Sequence, residues 1–70
     1  MVEKVVELTG TATGSIEDAV ALAISRASVT ISGIREATVT QATALVEGGR
    51  ITGWKVAVRV RFQIEDRLHE

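Results

Sequence analysis

The stretch 54–64 constrains this chain more than any other. Trp54, Val56, Val58, Val60, Phe62 and Ile64 alternate there with Lys55, Ala57, Arg59, Arg61 and Gln63. A period of two over that length specifies an extended strand with one buried face. Just ahead lies Glu47-Gly-Gly-Arg50, and Gly48 and Gly49 can both take the positive φ of a type I′ turn. A strand over 35–46 is therefore expected to fold back onto one over 50–64. With the two glycines at the turn centre, Val39 faces Val58, Ala37 faces Val60, Gln41 faces Val56 and Thr43 faces Trp54, all on the core face. On the other face Glu36 meets Arg61, Thr38 meets Arg59 and Ala42 meets Lys55. A slip of one residue would set the valine column against polar positions, so the pattern specifies its own register.

The remaining segments supply one more strand and one helix. Val2–Thr9 is short, valine-rich and partly alternating, which reads as a strand. Residues 9–14, Thr-Gly-Thr-Ala-Thr-Gly, are turn chemistry. Ser15 can cap a helix, and Glu17 and Asp18 place negative charge at the positive end of its dipole. Ile16, Val20, Ala23, Ile24, Ala27 and Ile31 recur at spacings of three and four and make one apolar stripe. Gly33 is placed to end the helix in a left-handed conformation. The expected fold is α+β, in the order β-α-β-β. One helix packs on a three-stranded antiparallel sheet, and the first strand lies beside the last. Nothing divides residues 1–70 into more than one domain: there is no proline, repeat or linker.

Size then limits stability. A chain of 70 residues buries only about 60% of the surface its unfolded form exposes. This one has no cysteine to staple it and one residue each of Trp and Phe. Chains so placed gain stability by oligomerising. The second sheet face, with Ala42, Ala44 and Ala57 among Glu36, Lys55, Arg59 and Arg61, is either plain solvated surface or a subunit contact with polar cross-links, and the small core favours the contact.

Most functional classes find no support. A net charge of −1 argues against a phosphate-backbone binder, which carries a basic excess. No apolar run is long enough for a membrane span. The N-terminus shows no signal-peptide pattern, and a cytoplasmic location is expected. His69, the single histidine, sits in a charged tail and cannot be assembled into a triad. Gly10–Gly14 lacks the lysine and the spacing of a P-loop. The carboxylates (Glu3, Glu7, Glu17, Asp18, Glu36, Glu47, Glu65, Asp66) follow no calcium-loop spacing. On the strand pattern alone, Glu36 is a cross-strand partner of Arg61 and Trp54 is a core residue. The expectation is a non-enzymatic protein.

Three segments, in order, resemble the dodecins, small β-α-β-β proteins that assemble as hollow dodecamers. Leu8-Thr-Gly-Thr11 with Ser15 is similar to the family's loop into the helix. Ala23-Ile-Ser-Arg-Ala27 with Thr30 resembles its Ala-Ile-x-Arg-Ala-x-x-Thr signature. Val58-Arg-Val-Arg-Phe-Gln-Ile-Glu65 resembles its closing strand. The resemblance covers nearly the whole chain and implies a hollow homododecamer, its partners being other copies of itself and a small molecule. Most dodecins bind flavins (riboflavin or FMN) between symmetry-related tryptophans, with a glutamine at the ring edge. Here Glu36 stands in the tryptophan position and Lys55 in that of the glutamine.

The resemblance therefore implies a ligand site at Arg35, Glu36 and Lys55 with weakened flavin binding. A carboxylate in place of two stacking rings forfeits the stacking and faces a phosphate tail. Trp54 offers no rescue, since it lies on the opposite face of its strand from Lys55. The departure is similar to a second branch, the calcium dodecins, on the stretches Ile34-Arg-x-Ala37 and Gly49-x-Ile-Thr52. Calcium is then a second expected ligand, with Glu36 as its suspected contact. The other reading of the same resemblance is a flavin storage and quenching protein that uses polar contacts in place of stacking.

Overall fold

In the computed structural model, which describes residues 2–64, four elements follow in order: β1 (Val2–Ala12), α1 (Ile16–Ala27), β2 (Ile34–Glu47) and β3 (Arg50–Ile64). The sheet order is β1-β3-β2, and both pairings are antiparallel. This is the expected β-α-β-β arrangement, with one helix on a three-stranded antiparallel sheet. Central β3 carries the core: Val56, Val58 and Val60 are fully buried. Gly48 and Gly49 both have positive φ, 60° and 78°, as a type I′ turn requires. His69 and the carboxylates Glu65 and Asp66 lie outside the described residues.

β1 runs three residues beyond its expected end at Thr9. Residues 10–12 continue the ladder against β3, with Gly10 opposite Val56 and Ala12 opposite Trp54. The threonine- and glycine-rich composition suits a turn, but an available neighbouring strand overrides that local preference.

The helix begins as expected: the Asp18 backbone N–H donates to Ser15 Oγ at 3.0 Å. Replacing Ser15 with alanine leaves that N–H without its partner and is expected to cost about 1 kcal/mol. Chemical denaturation checks this as a lower midpoint with unchanged slope.

Its buried face matches the expected stripe at Ala23 and Ala27 but departs from it at Ile16 and Ala19, and its end differs from the sequence reading. Ala19, Ala23 and Ala27 are the buried helix residues, with Val20 partly buried beside them, whereas Ile16 is exposed. Alanines at i, i+4 and i+8 let the helix backbone descend onto the sheet. Gly10 accommodates it from below: a Cβ at Gly10 would run into the Ala19 carbonyl oxygen and come within 3.0 Å of the Ala23 Cβ. Close approach selects small side chains, so the larger aliphatics flank the contact.

The helix ends at Ala27, and Ile31 lies outside it. The next turn tightens, with Val29 N–H donating to Arg26 O and Thr30 N–H to Ala27 O. Val29, Thr30 and Ile31 are β-branched, which disfavours continuation of the helix. Gly33 is left-handed, with φ 77°, but it serves the entry to β2 rather than the helix end. The Gln63 N–H donates to its carbonyl at 3.2 Å.

The hairpin register holds at both ends and shifts in the middle. Glu36–Arg61, Ala37–Val60, Thr38–Arg59 and Val39–Val58 pair as expected. From there to Leu45 the partners move by one: Gln41 faces Ala57, Ala42 faces Val56, Thr43 faces Lys55 and Ala44 faces Trp54. Two extra residues cause the shift and then cancel it. Thr40 is unpaired in β2 and Thr52 in β3. Each threonine hydroxyl donates across the ladder, Thr40 Oγ1 to Ala57 O and Thr52 Oγ1 to Leu45 O, both at 3.2 Å. A third irregularity leaves Arg35 unpaired between Ile34 and Glu36. Each bulge reverses the facing of the residues beyond it. Gln41 and Thr43 are therefore carried from the expected core face to the outer face, and Ala42 and Ala44 the other way.

Candidate functional site

The sheet face away from the helix collects the polar groups of all three strands. Its rows, from β1 through β3 to β2, are Val5–Arg61–Glu36, Glu7–Arg59–Thr38, Thr9–Ala57–Gln41 and Thr11–Lys55–Thr43. The first two rows form a charge ladder. Arg59 Nη2 lies 3.3 Å from Glu7 Oε2, and Arg61 Nη1 lies 3.2 Å from Glu36 Oε1. Arg61 Nε also lies 3.8 Å from Glu3 Oε1, so one guanidinium bridges β1 and β2. These side chains are roughly half exposed, so each pair contributes about 0–1 kcal/mol. Their effect is on chemistry more than stability: both arginines already have carboxylate partners.

The third and fourth rows differ. Ala57 is small and sits at mid-row between the longer Thr9 and Gln41, which leaves a dip in the face. The resulting depression has a volume of about 230 Å3 and is lined by Thr9, Gln41, Thr43, Lys55, Val56 and Ala57. Lys55 is its basic group, and no carboxylate lines it. Sequence reading missed Gln41, Thr43 and Thr9 here, because an unbroken register points the first two into the core. A signal was present: the apolar positions of β2 change parity, from Ala37 and Val39 to Ala42 and Ala44, and Thr40 is where the phase jumps.

The residues singled out from the sequence fall in two places. Arg35 and Glu36 open β2, where Arg35 Nη2 donates to Gln63 Oε1 at 3.1 Å and Glu36 accepts from Arg61. Lys55 lies six β3 positions from Arg61, the partner of Glu36, or roughly 20 Å at about 3.3 Å per residue. One copy of the chain does not bring the three together.

Aromatic rings are absent from this face. The chain has one Trp, one Phe and no Tyr. Trp54 and Phe62 share the facing of Val56, Val58 and Val60, toward the helix side. The groups that remain are cations, carboxylates, hydroxyls and an amide. They suit hydrogen bonding and charge recognition, and they do not fit a flavin held by stacking within this chain. Among the described residues no three His, Cys, Asp or Glu side chains gather as a metal site. No described helix is long and apolar enough to cross a membrane.

Comparison with known proteins agrees with the architecture. The sequence profile of the Dodecin family matches residues 2–65. The chain belongs to the dodecin family. Among solved structures, dodecin from Streptomyces coelicolor is 31% identical, with 93% of each chain covered and a TM-score of 0.86. Dodecin from Streptomyces davaonensis is 25% identical, with 93% of this chain and 96% of that one covered, again at 0.86. A point mutant of Thermus thermophilus dodecin is 28% identical, covering 93% and 97%, at 0.86. No curated protein matches the chain. Dodecins are small, non-enzymatic flavin-binding proteins.

Proposed function

We propose that this dodecin is a non-enzymatic small-ligand-binding protein, assembled as a hollow homododecamer, whose flavin pocket is altered by Glu36 and Lys55. The observation that carries this reading is the contact between Glu36 Oε1 and Arg61 Nη1 at 3.2 Å. A side chain standing where the family stacks a flavin is instead part of a charge ladder. Both rings of the chain share the facing of the valine core and cannot replace it. Arg35, Glu36 and Lys55 remain the pocket residues of this proposal, and their separation within one copy means that neighbouring copies would complete the site. Calcium is the less favoured ligand. Arg61 engages both Glu36 and Glu3, so a cation would compete with a guanidinium and draw its other carboxylates from other copies.

A second reading keeps flavin as the ligand, and Gln41 favours it. Its amide lies on the outer face beside Lys55 and could meet the edge of a ring as the family's glutamine does. Native mass spectrometry with riboflavin titration separates the two. Twelvefold mass with no retained flavin and weak quenching of riboflavin emission is the expected result. Stoichiometric, strong quenching would establish the flavin reading instead, and a monomeric mass would overturn the assembly.

A further inference from the structure

We propose that the depression around Lys55 is a subsite for a small oxyanion, a carboxylate or a phosphate. The inference rests on the altered-pocket reading and names the ligand class of that pocket. Its basis is the contrast along one sheet face. Arg59 and Arg61 lie among Glu3, Glu7 and Glu36, so two positive charges meet three negative ones. Lys55 lies between Thr11 and Thr43, both neutral, and among the described residues it has no ion-pair partner. The ammonium is purely a donor, and the hydroxyls of Thr9 and Thr43 and the amide of Gln41 add neutral donors around one hollow.

A glutamine at position 55 could both donate and accept, and so could match a ring edge that alternates the two. A lysine offers only donors and a full charge, which favours a ligand edge made only of acceptors. Volume narrows the choice further. At about 230 Å3 the hollow lies below the roughly 300–1,000 Å3 usual for whole ligand pockets. It holds an anionic group, or one ring bearing such a group, and not a whole dinucleotide-sized ligand.

The test uses the intact protein with labelled Thr and Ala methyls, titrated separately with sodium phosphate, sodium benzoate and neutral benzamide. Saturable shifts of the Thr9, Thr43 and Ala57 methyl signals are expected with an anion and not with benzamide. Lys55→Gln should weaken the response about tenfold or more, while Lys55→Arg, which keeps the charge, should retain it within a few-fold. Saturation by phosphate alone or by benzoate alone would support the site and say which oxyanion it takes. Equal saturable binding of benzoate and benzamide, no saturation by either anion, or an unchanged response in Lys55→Gln would overturn it. Riboflavin quenching on the same sample reads the altered-pocket proposal separately. Strong quenching alongside Lys55-dependent anion binding would remove that proposal and leave the oxyanion site standing.

Discussion

Glu36→Trp combined with Lys55→Gln is expected to raise riboflavin affinity by roughly a few hundredfold over the unmodified chain. Aromatic stacking contributes about 0.5–1.5 kcal/mol per pair beyond burial, and a flavin between symmetry-related copies meets two such rings. Removing two carboxylates that a bound ring would desolvate adds to this, and tenfold in affinity corresponds to about 1.4 kcal/mol. The folding cost of the change is small. Glu36 and Arg61 are both about half exposed, so their pair contributes little stability, and Arg61 keeps Glu3 at 3.8 Å. The freed guanidinium can also lie over the new indole. Most of the gain should come from Glu36→Trp alone, with Lys55→Gln contributing the hydrogen-bonded edge. Because positions 36 and 55 lie far apart in one copy, the gain should vanish when dilution dissociates the assembly. Fluorescence quenching against protein concentration measures both effects. A double variant that gains no affinity while still assembled would mean that position 36 does not correspond to the family's tryptophan.

The β3 alternation and the Gly48-Gly49 turn were legible in the sequence because each has one physical solution. The period of two must bury one face, and two adjacent glycines readily supply the two positive φ angles of the turn. Arg61 meeting Glu36 follows from that register. Thr40 and Thr52 were not legible in the same way, since a bulge preserves both strands and displaces only what lies between. Their hydroxyls repair the ladder by donating to Ala57 O and Leu45 O, and threonine is also an ordinary strand residue. The consequence fell on the candidate site. Gln41 and Thr43 change face, and the shift is what brings them to the depression beside Lys55. The helix misreading has a different cause. An apolar stripe shows which side of a helix faces the sheet, but the distance of approach decides which members of that side are buried. That distance is set here by Gly10, a residue on another element.

Gly10→Val should accordingly be the most damaging single substitution on the helix–sheet contact. Gly10 is buried in β1 beneath Ala19 and Ala23. Even a Cβ has no room: the Ala19 carbonyl oxygen blocks it, and the Ala23 Cβ stands at 3.0 Å. The obstruction is backbone, which cannot rotate aside as a long side chain would. Overpacking of this kind costs about 1–3 kcal/mol and occasionally more, and valine adds two methyls beyond the Cβ. The helix must then lift from β1, and the valines at 56, 58 and 60 lose part of their cover. For a domain of this size about 3 kcal/mol corresponds to a melting temperature lower by roughly 12–24 °C. Thermal unfolding followed by far-UV circular dichroism measures it at fixed protein concentration, because assembly also stabilises the folded chain. Gly10→Ala should fall between the two. Enlarging Ala19 to valine should repeat the loss from the helix side, whereas the same change at exposed Ala21 should leave the transition nearly where it was. If Gly10→Val melts with the unmodified chain, the helix does not sit on β1 as closely as Ala19 and Ala23 require.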